Sequence, residues 1–146
     1  MVSITVFRYG HRPDRDKRIT THVALVARAL GAKDIIIGTK SREIEDTVTD
    51  VVHRFGGEFR IRTGVQWRNF FREWKGIVVH LSMYGTDLEK VIHEIKKATD
   101  ILVIVGSKKV PGEFYHLSDF NVAIGHQPHS EVAALAIFLD RVTQRL

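Results

Sequence analysis

The chain has 146 residues, enough for one domain with its own core and too few for two of ordinary size. Its composition, 44% hydrophobic and 27% charged, is that of a globular protein, and the lack of cysteine excludes disulfides, thiolate metal sites and a cysteine nucleophile. The net charge of +5 favours a polyanionic partner without naming one, because the placement of the charges decides what they meet.

Strand-like and amphipathic helical segments alternate from end to end, the pattern of an α/β protein with a mainly parallel sheet and helices on both faces. Ser3 to Arg8 reads as the first strand. Thr20 or Thr21 is expected to cap a helix that carries Val23, Val26, Ala27 and Leu30 at helical spacing and stops at Gly31. Ile35 to Ile37 is a short buried strand, and Arg42 to Phe55 a helix ended by Gly56-Gly57. Phe59 and Ile61 alternate with polar residues as in a half-buried strand. Trp67, Phe70, Phe71 and Trp74 then fall on one helical face, a stripe that reads first as core packing and second as a base-stacking surface. Ile77 to Leu81 is a strand, and Thr86-Asp87-Leu88-Glu89 a capping box opening a helix through Lys97. Ile101 to Val105 is a buried strand, Gly106 to Leu117 a loop with a short helix, Val122 to Ile124 a last strand and Ser130 to Arg145 a last helix. The longest apolar run, Val132 to Leu139, falls well short of a bilayer crossing, and the first ten residues lack a secretory pattern. A soluble, cytoplasmic protein without membrane association is expected. Asn at only two positions, beside plentiful Arg, Lys and Glu, leans towards a thermophilic source.

Ligands of open parallel sheets gather beyond the carboxyl ends of the strands. Three loops are expected there: one following Val79, one following Val105 and opening with Gly106, and one following Ile124 and opening with Gly125. Glycine at a strand exit lets a ligand touch the backbone, and proline stiffens a loop around what it holds, although an ordinary turn is the competing reading for each. Dinucleotide and triphosphate motifs are missing, as is a G-x-S-x-G nucleophile elbow. His126 and His129 have the spacing of two zinc ligands, but no further ligand pattern accompanies them and no metal is expected. Between Arg8 and Arg18, five basic residues crowd into eleven positions. Such a loop suits phosphate contacts, with Asp14 and Asp16 directing the side chains, and equally suits a solvated salt-bridge loop.

Four stretches, RYGHRPDRDKRITTHVALVARALGA, VHLSMYG, VIVGSKKVP and NVAIGHQPHSEVAALAIFLDR, resemble the motifs of the archaeal tRNA cytidine-56 2′-O-methyltransferase family across nearly the whole chain. The resemblance implies a SPOUT fold, whose last third threads a deep trefoil knot; periodicity alone gives an unknotted sheet, since knots are nearly absent from proteins. It implies S-adenosylmethionine as methyl donor and tRNA as partner, the ribose 2′-hydroxyl of a T-loop cytidine being the acceptor. Donor contacts carried over from the family fall at Leu81, at Gly106, Ser107, Lys108, Lys109 and Val110, and at Ile124, Gly125, His126, Gln127, Pro128, His129, Ser130 and Glu131. These lie in the same three loops. The resemblance also implies an arginine near the first helix that engages the target phosphate and helps the hydroxyl lose its proton, for which Arg18 is the match. The general base stays open among His22, His126, His129 and Glu131. Members of the family continue past the knot helix into a tail, expected to be a β-hairpin, that has no counterpart after Leu146. Other readings remain: a SPOUT methyltransferase acting on another RNA nucleotide, or a catalytically silent RNA-binding module.

The last helix carries its own expectation. From Val132 to Leu139 it is apolar on every side, so it needs two covers, of which one can be the sheet and the other the same helix of a second subunit, the competing reading being that other helices of the same chain bury both faces. A homodimer through the C-terminal helix follows.

Overall fold

Short, β-branched segments bounded by turn residues form six strands: β1 (Ser3–Tyr9), β2 (Asp34–Ile37), β3 (Arg60–Thr63), β4 (Ile77–Asp87), β5 (Asp100–Gly106) and β6 (Phe120–Ala123). In the computed structural model, which describes residues 2–106 and 110–144, they pair in the order β3-β2-β1-β5-β4-β6, all parallel. Four helices, α1 (Lys17–Ala29), α2 (Arg42–Phe55), α4 (Leu88–Lys96) and α6 (Glu131–Thr143), cover one face. Helices α3 (Trp67–Glu73) and α5 (Glu113–Leu117) cover the other. Right-handed crossovers dictate this division, because the chain runs one way from β1 to β3 and the opposite way from β3 to β4.

Alternation along β1 sends Ile4 and Val6 into the core beneath α1 and α6, where they join Val23, Ala27, Leu135 and Phe138. Phe7 points the other way, with Ile36, Leu102 and Ile104, and meets the aromatic stripe of α3. Phe7 and Phe71 stand edge to face at 5.1 Å, and Trp67 and Phe114 at 4.9 Å, so the stripe is core packing.

Two caps differ from expectation. Helix α1 starts at Lys17, ahead of Thr20, because the chain from Arg12 to Asp16 already turns, with the Asp16 amide donating to the Arg12 carbonyl at 2.8 Å. Thr20 is buried and its hydroxyl is hydrogen-bonded to Nδ1 of His11 at 2.6 Å. Likewise Thr86 lies in β4 rather than capping α4, and Asp87 in the cap position makes no side-chain capping bond because its carboxylate meets His126. The alternating pattern that marks β4 stops at Leu81, yet the strand runs on to Asp87 through an irregular stretch paired to β6.

That irregular stretch shapes the ligand edge. Strand β6 pairs with Val79, His80 and Leu81, then again with Thr86 and Asp87. Between these registers Gly85 presses against the β6 backbone, and a Cβ there would stand 2.4 Å from the Asn121 carbonyl oxygen. Backbone cannot yield as a side chain end does. Gly85→Ala is therefore expected to destabilise the fold at the upper end of the ~1–3 kcal/mol that overpacking costs. A denaturant titration showing an unchanged midpoint would contradict the rigidity of this crossing.

Helix α6 buries Ala134, Leu135, Phe138, Leu139 and Val142, and leaves Ile137 44% exposed on its outer side. Arg145, expected at its end, lies outside the described residues. No helix among the described residues is long and apolar enough to cross a membrane.

Candidate active site at the carboxyl edge

The direction of the chain reverses between the central strands β1 and β5. The segment leaving β1 leads to α1 on one face and the segment leaving β5 leads to α5 on the other, so a crevice opens at their carboxyl ends. The Gly106 and Gly125 strand exits, the far end of β4 and the arginine-rich turn all lie at this edge because every strand is parallel.

The turn after β1 is built by ionic contacts within itself. Asp16 accepts from the Arg12 amide at 2.9 Å and from its guanidinium at 3.0 and 3.2 Å. Those contacts hold the Asp16 carboxyl down to about 2, so it is ionised at any working pH. Arg12 is thereby committed to shaping the turn. Arg18 is exposed on the first turn of α1, and His22 lies exposed one turn further along the same helix. His11 is buried, and burial, with Arg8 close by, pushes its pKa below the usual histidine range.

At the end of β5, Gly106 pairs with Tyr9, and a Cβ on it would fall 2.2 Å from Cγ1 of Val110. The chain thus returns tightly over the strand end. Val110 is half-buried against the aromatic core, while Ser107, Lys108 and Lys109 lie outside the described residues. Leu81 is half-buried in β4, opposite Val122.

After β6, Ile124 is half-buried and residues 125–130 are exposed. Gly125 adopts φ +76°, and a Cβ on it would meet nothing within 4 Å, so its backbone faces open space. The Nδ1 of His126 donates to the Met83 carbonyl at 2.9 Å and its Nε2 to the Asp87 carboxylate. Those two acceptors, the carbonyl first, raise its pKa above the usual histidine range. Nε2 of His129 donates to the Ile124 carbonyl across the loop. The two histidines therefore have separate partners, and no group of three or more metal-ligating side chains occurs among the described residues. Gln127 and Pro128 are exposed at the loop tip. Ser130 caps α6 by accepting from the amides of Val132 and Ala133 at 3.1 and 3.4 Å. A cleft of about 300 Å³, lined by Asp87, Leu88, Ala123, Gly125 and Ile137 among others, opens beside this loop.

One pairing in the site was not read from the sequence, and it removes Arg8 from the basic residues expected to contact phosphate. Arg8 is buried, and its Nη2 donates to Oε2 of Glu131 at 3.3 Å, joining the end of β1 to the start of α6. A signal was present: strand alternation puts Arg8 on the same face as Ile4 and Val6, where an apolar residue would ordinarily stand.

A model of the tRNA ribose 2′-O-methyltransferase family, aTrm56, matches residues 55–146, more than half of the chain. The chain belongs to that family. Among aTrm56 relatives, the tRNA (cytidine(56)-2′-O)-methyltransferase of Archaeoglobus fulgidus is 55% identical over 97% of this chain and 83% of its own length. The protein of the same name from Picrophilus torridus is 59% identical over 94% of this chain. The aligned stretch is 40% of that longer protein's length. Solved structures place the aTrm56 chain in the SPOUT fold class. An RNA 2′-O ribose methyltransferase superposes with a TM-score of 0.73 at 13% identity, over 98% of this chain and 56% of the other. The SpoU methyltransferase AviRb of Streptomyces viridochromogenes, solved in complex with the cofactor AdoMet, superposes with a TM-score of 0.60 at 19% identity, over 97% of this chain and 57% of that one.

Proposed function

We propose that this chain acts as a single SPOUT domain that transfers a methyl group from S-adenosylmethionine to the ribose 2′-hydroxyl of cytidine 56 of tRNA. The observation that carries the reading is the convergence at one sheet edge of the Gly106 and Gly125 strand exits with the arginine-bearing turn after β1, in a member of the aTrm56 family. Open space beside Gly125 and the apolar side chains of Leu81, Val110 and Ile124 suit a ligand that lays a flat ring against backbone. Residues 106–110 and 124–130, with Leu81, would hold the donor, while Glu131, the last of the positions that the resemblance offers, is turned to Arg8. S-adenosylmethionine, when bound, supplies an activated sulfonium methyl group. What remains for the protein is to orient a weakly acidic hydroxyl and to stabilise charge on its oxygen. Arg18 would grip the target phosphate with its planar fork and face the developing oxyanion. The chain from β4 to α6 would thread the trefoil knot that the resemblance implies.

The outer side of α6, with Ala133 and Ile137 exposed, supports a homodimer through this helix, in which the arginine turn of one subunit serves the donor held by the other. A tRNA substrate fits a cytoplasmic location.

Ribose methylation mapped on one purified tRNA, with and without the protein and donor, tests the reading. Donor-dependent protection confined to position 56 is expected. Methylation at a different nucleotide would identify another RNA target. Donor and tRNA binding without any transfer would mark a silent binding module.

A further inference from the structure

Arg8 heads the fully buried large side chains of the protein, its side chain only 1% exposed, and it stands in the layer that Ile4 and Val6 fill with hydrocarbon. Burying a guanidinium carries a heavy desolvation penalty, and well-packed apolar residues in place of such a pair are often neutral or stabilising. The pair found here is incompletely satisfied. Nη1 donates to the Tyr9 carbonyl at 2.7 Å and Nη2 to Glu131 at 3.3 Å, while Nε of Arg8 and Oε1 of Glu131 are both buried without a hydrogen-bond partner. Stability alone does not account for a charge kept in this state. Its place does suggest a use, because it links the last turnward residues of β1, just before the arginine-rich turn, to the first residue of α6, just after the Gly125 loop.

We propose that the Arg8–Glu131 pair is a positioning device that sets the loop holding the methyl donor against the turn carrying Arg18. The proposal rests on the methyltransferase reading above. Neither residue touches the reacting atoms in this scheme; together they fix the spacing and angle between donor methyl and ribose oxygen. Transfer is steeply sensitive to such alignment, an error of about 1 Å costing on the order of a hundredfold in rate. Burial raises the pKa of Glu131 while the Arg8 charge opposes that rise, and the 3.3 Å contact with one unpartnered atom on each side leaves slack in the pair. Donor and RNA can take up that slack when they bind, as loosely made contacts of ligand-free sites commonly tighten in the working complex.

The deciding variant is the double replacement Arg8→Met with Glu131→Leu, which exchanges the pair for hydrocarbon of similar volume. Three quantities are read: the thermal midpoint, the calorimetric dissociation constant for S-adenosylmethionine, and the single-turnover methylation rate with donor and tRNA both saturating. The expected result is an unchanged or higher midpoint, a donor constant within about threefold, and a rate lower by roughly a hundredfold. Arg8→Lys, which keeps the charge and loses the fork, should recover little of the rate. A double variant that is folded and methylates at the wild-type rate overturns the proposal. So does donor affinity falling by more than about tenfold with the saturated rate unchanged, since Glu131 would then be a donor contact. Should the double variant fail to fold, Glu131→Gln, which keeps the shape but loses the charge that strengthens the bond to Arg8, should lower the saturated rate by about tenfold at an unchanged donor constant, and a wild-type rate in it overturns the proposal. Wild-type protein that transfers no methyl group at all refutes the methyltransferase reading itself, a result distinct from an active wild type beside an active double variant.

Discussion

Arg18→Ala is expected to slow single-turnover methylation of tRNA by roughly two orders of magnitude or more while leaving donor affinity nearly intact, the signature of losing one positioned, charge-stabilising group. The expectation rests on where the residue stands. Arg18 is exposed on the first turn of the helix that follows β1, whose entry is pinned by the Arg12–Asp16 contacts. Of the neighbouring cations, Arg8 is buried with Glu131, Arg12 is held by Asp16 and Lys17 pairs with Glu43, while Arg15 is exposed on the turn as Arg18 is on the helix. Arg18→Lys should rescue little, because a point charge does not reproduce a two-pronged contact with phosphate. If the alanine variant methylates tRNA at the wild-type rate, Arg18 is not catalytic and His22, one helical turn away, becomes the next candidate.

Gly125→Leu should weaken donor binding by about a hundredfold or more, corresponding to ~3 kcal/mol. Two effects add. At φ +76° any side chain is strained by ~1–2 kcal/mol, and a leucine projects into the open space that the ligand is proposed to fill. Because a Cβ there meets no other part of the chain within 4 Å, the strain stays local and the fold should survive, which circular dichroism would verify. An unchanged calorimetric dissociation constant in a folded variant would remove the Gly125 loop from the donor site. The two variants together test the shared site of the proposed dimer. Mixed Arg18→Ala and Gly125→Leu protein should regain activity if one subunit's arginine serves the other's donor, and should stay inactive if each subunit works alone.

Local chemistry was enough to read most elements directly. The helix Arg42–Phe55 was legible to the residue because Ser41 caps it and Gly56, at φ +89°, ends it, both being effects of nearest neighbours. The buried strands β2 and β5 announced themselves by runs of β-branched residues, and the Gly106 and Gly125 exits by their place after strands, whereas the loop expected after Val79 is the far end of β4, drawn into the sheet by its pairing with β6. The start of α1 and the cap of α4 were misplaced for a common reason. Asp16 and Asp87 are each claimed by a partner from a preceding turn or a distant loop, Arg12 and His126, so a capping pattern read along the chain lost to contacts made across it.

What the sequence determined by itself is the class of fold, the strand exits at Gly106 and Gly125 and, through its motifs, the family, because these depend on periodicity, on residues at strand ends and on long unbroken stretches of pattern. Only the tertiary structure decided what those loops meet. The double register of β6 on β4, the pressing of Gly85 against Asn121, and the burial of Arg8 against Glu131 join residues 36 to 123 positions apart in the chain. No local propensity encodes such a pairing, since its energy comes from desolvation and backbone approach that exist only once the sheet has closed around it.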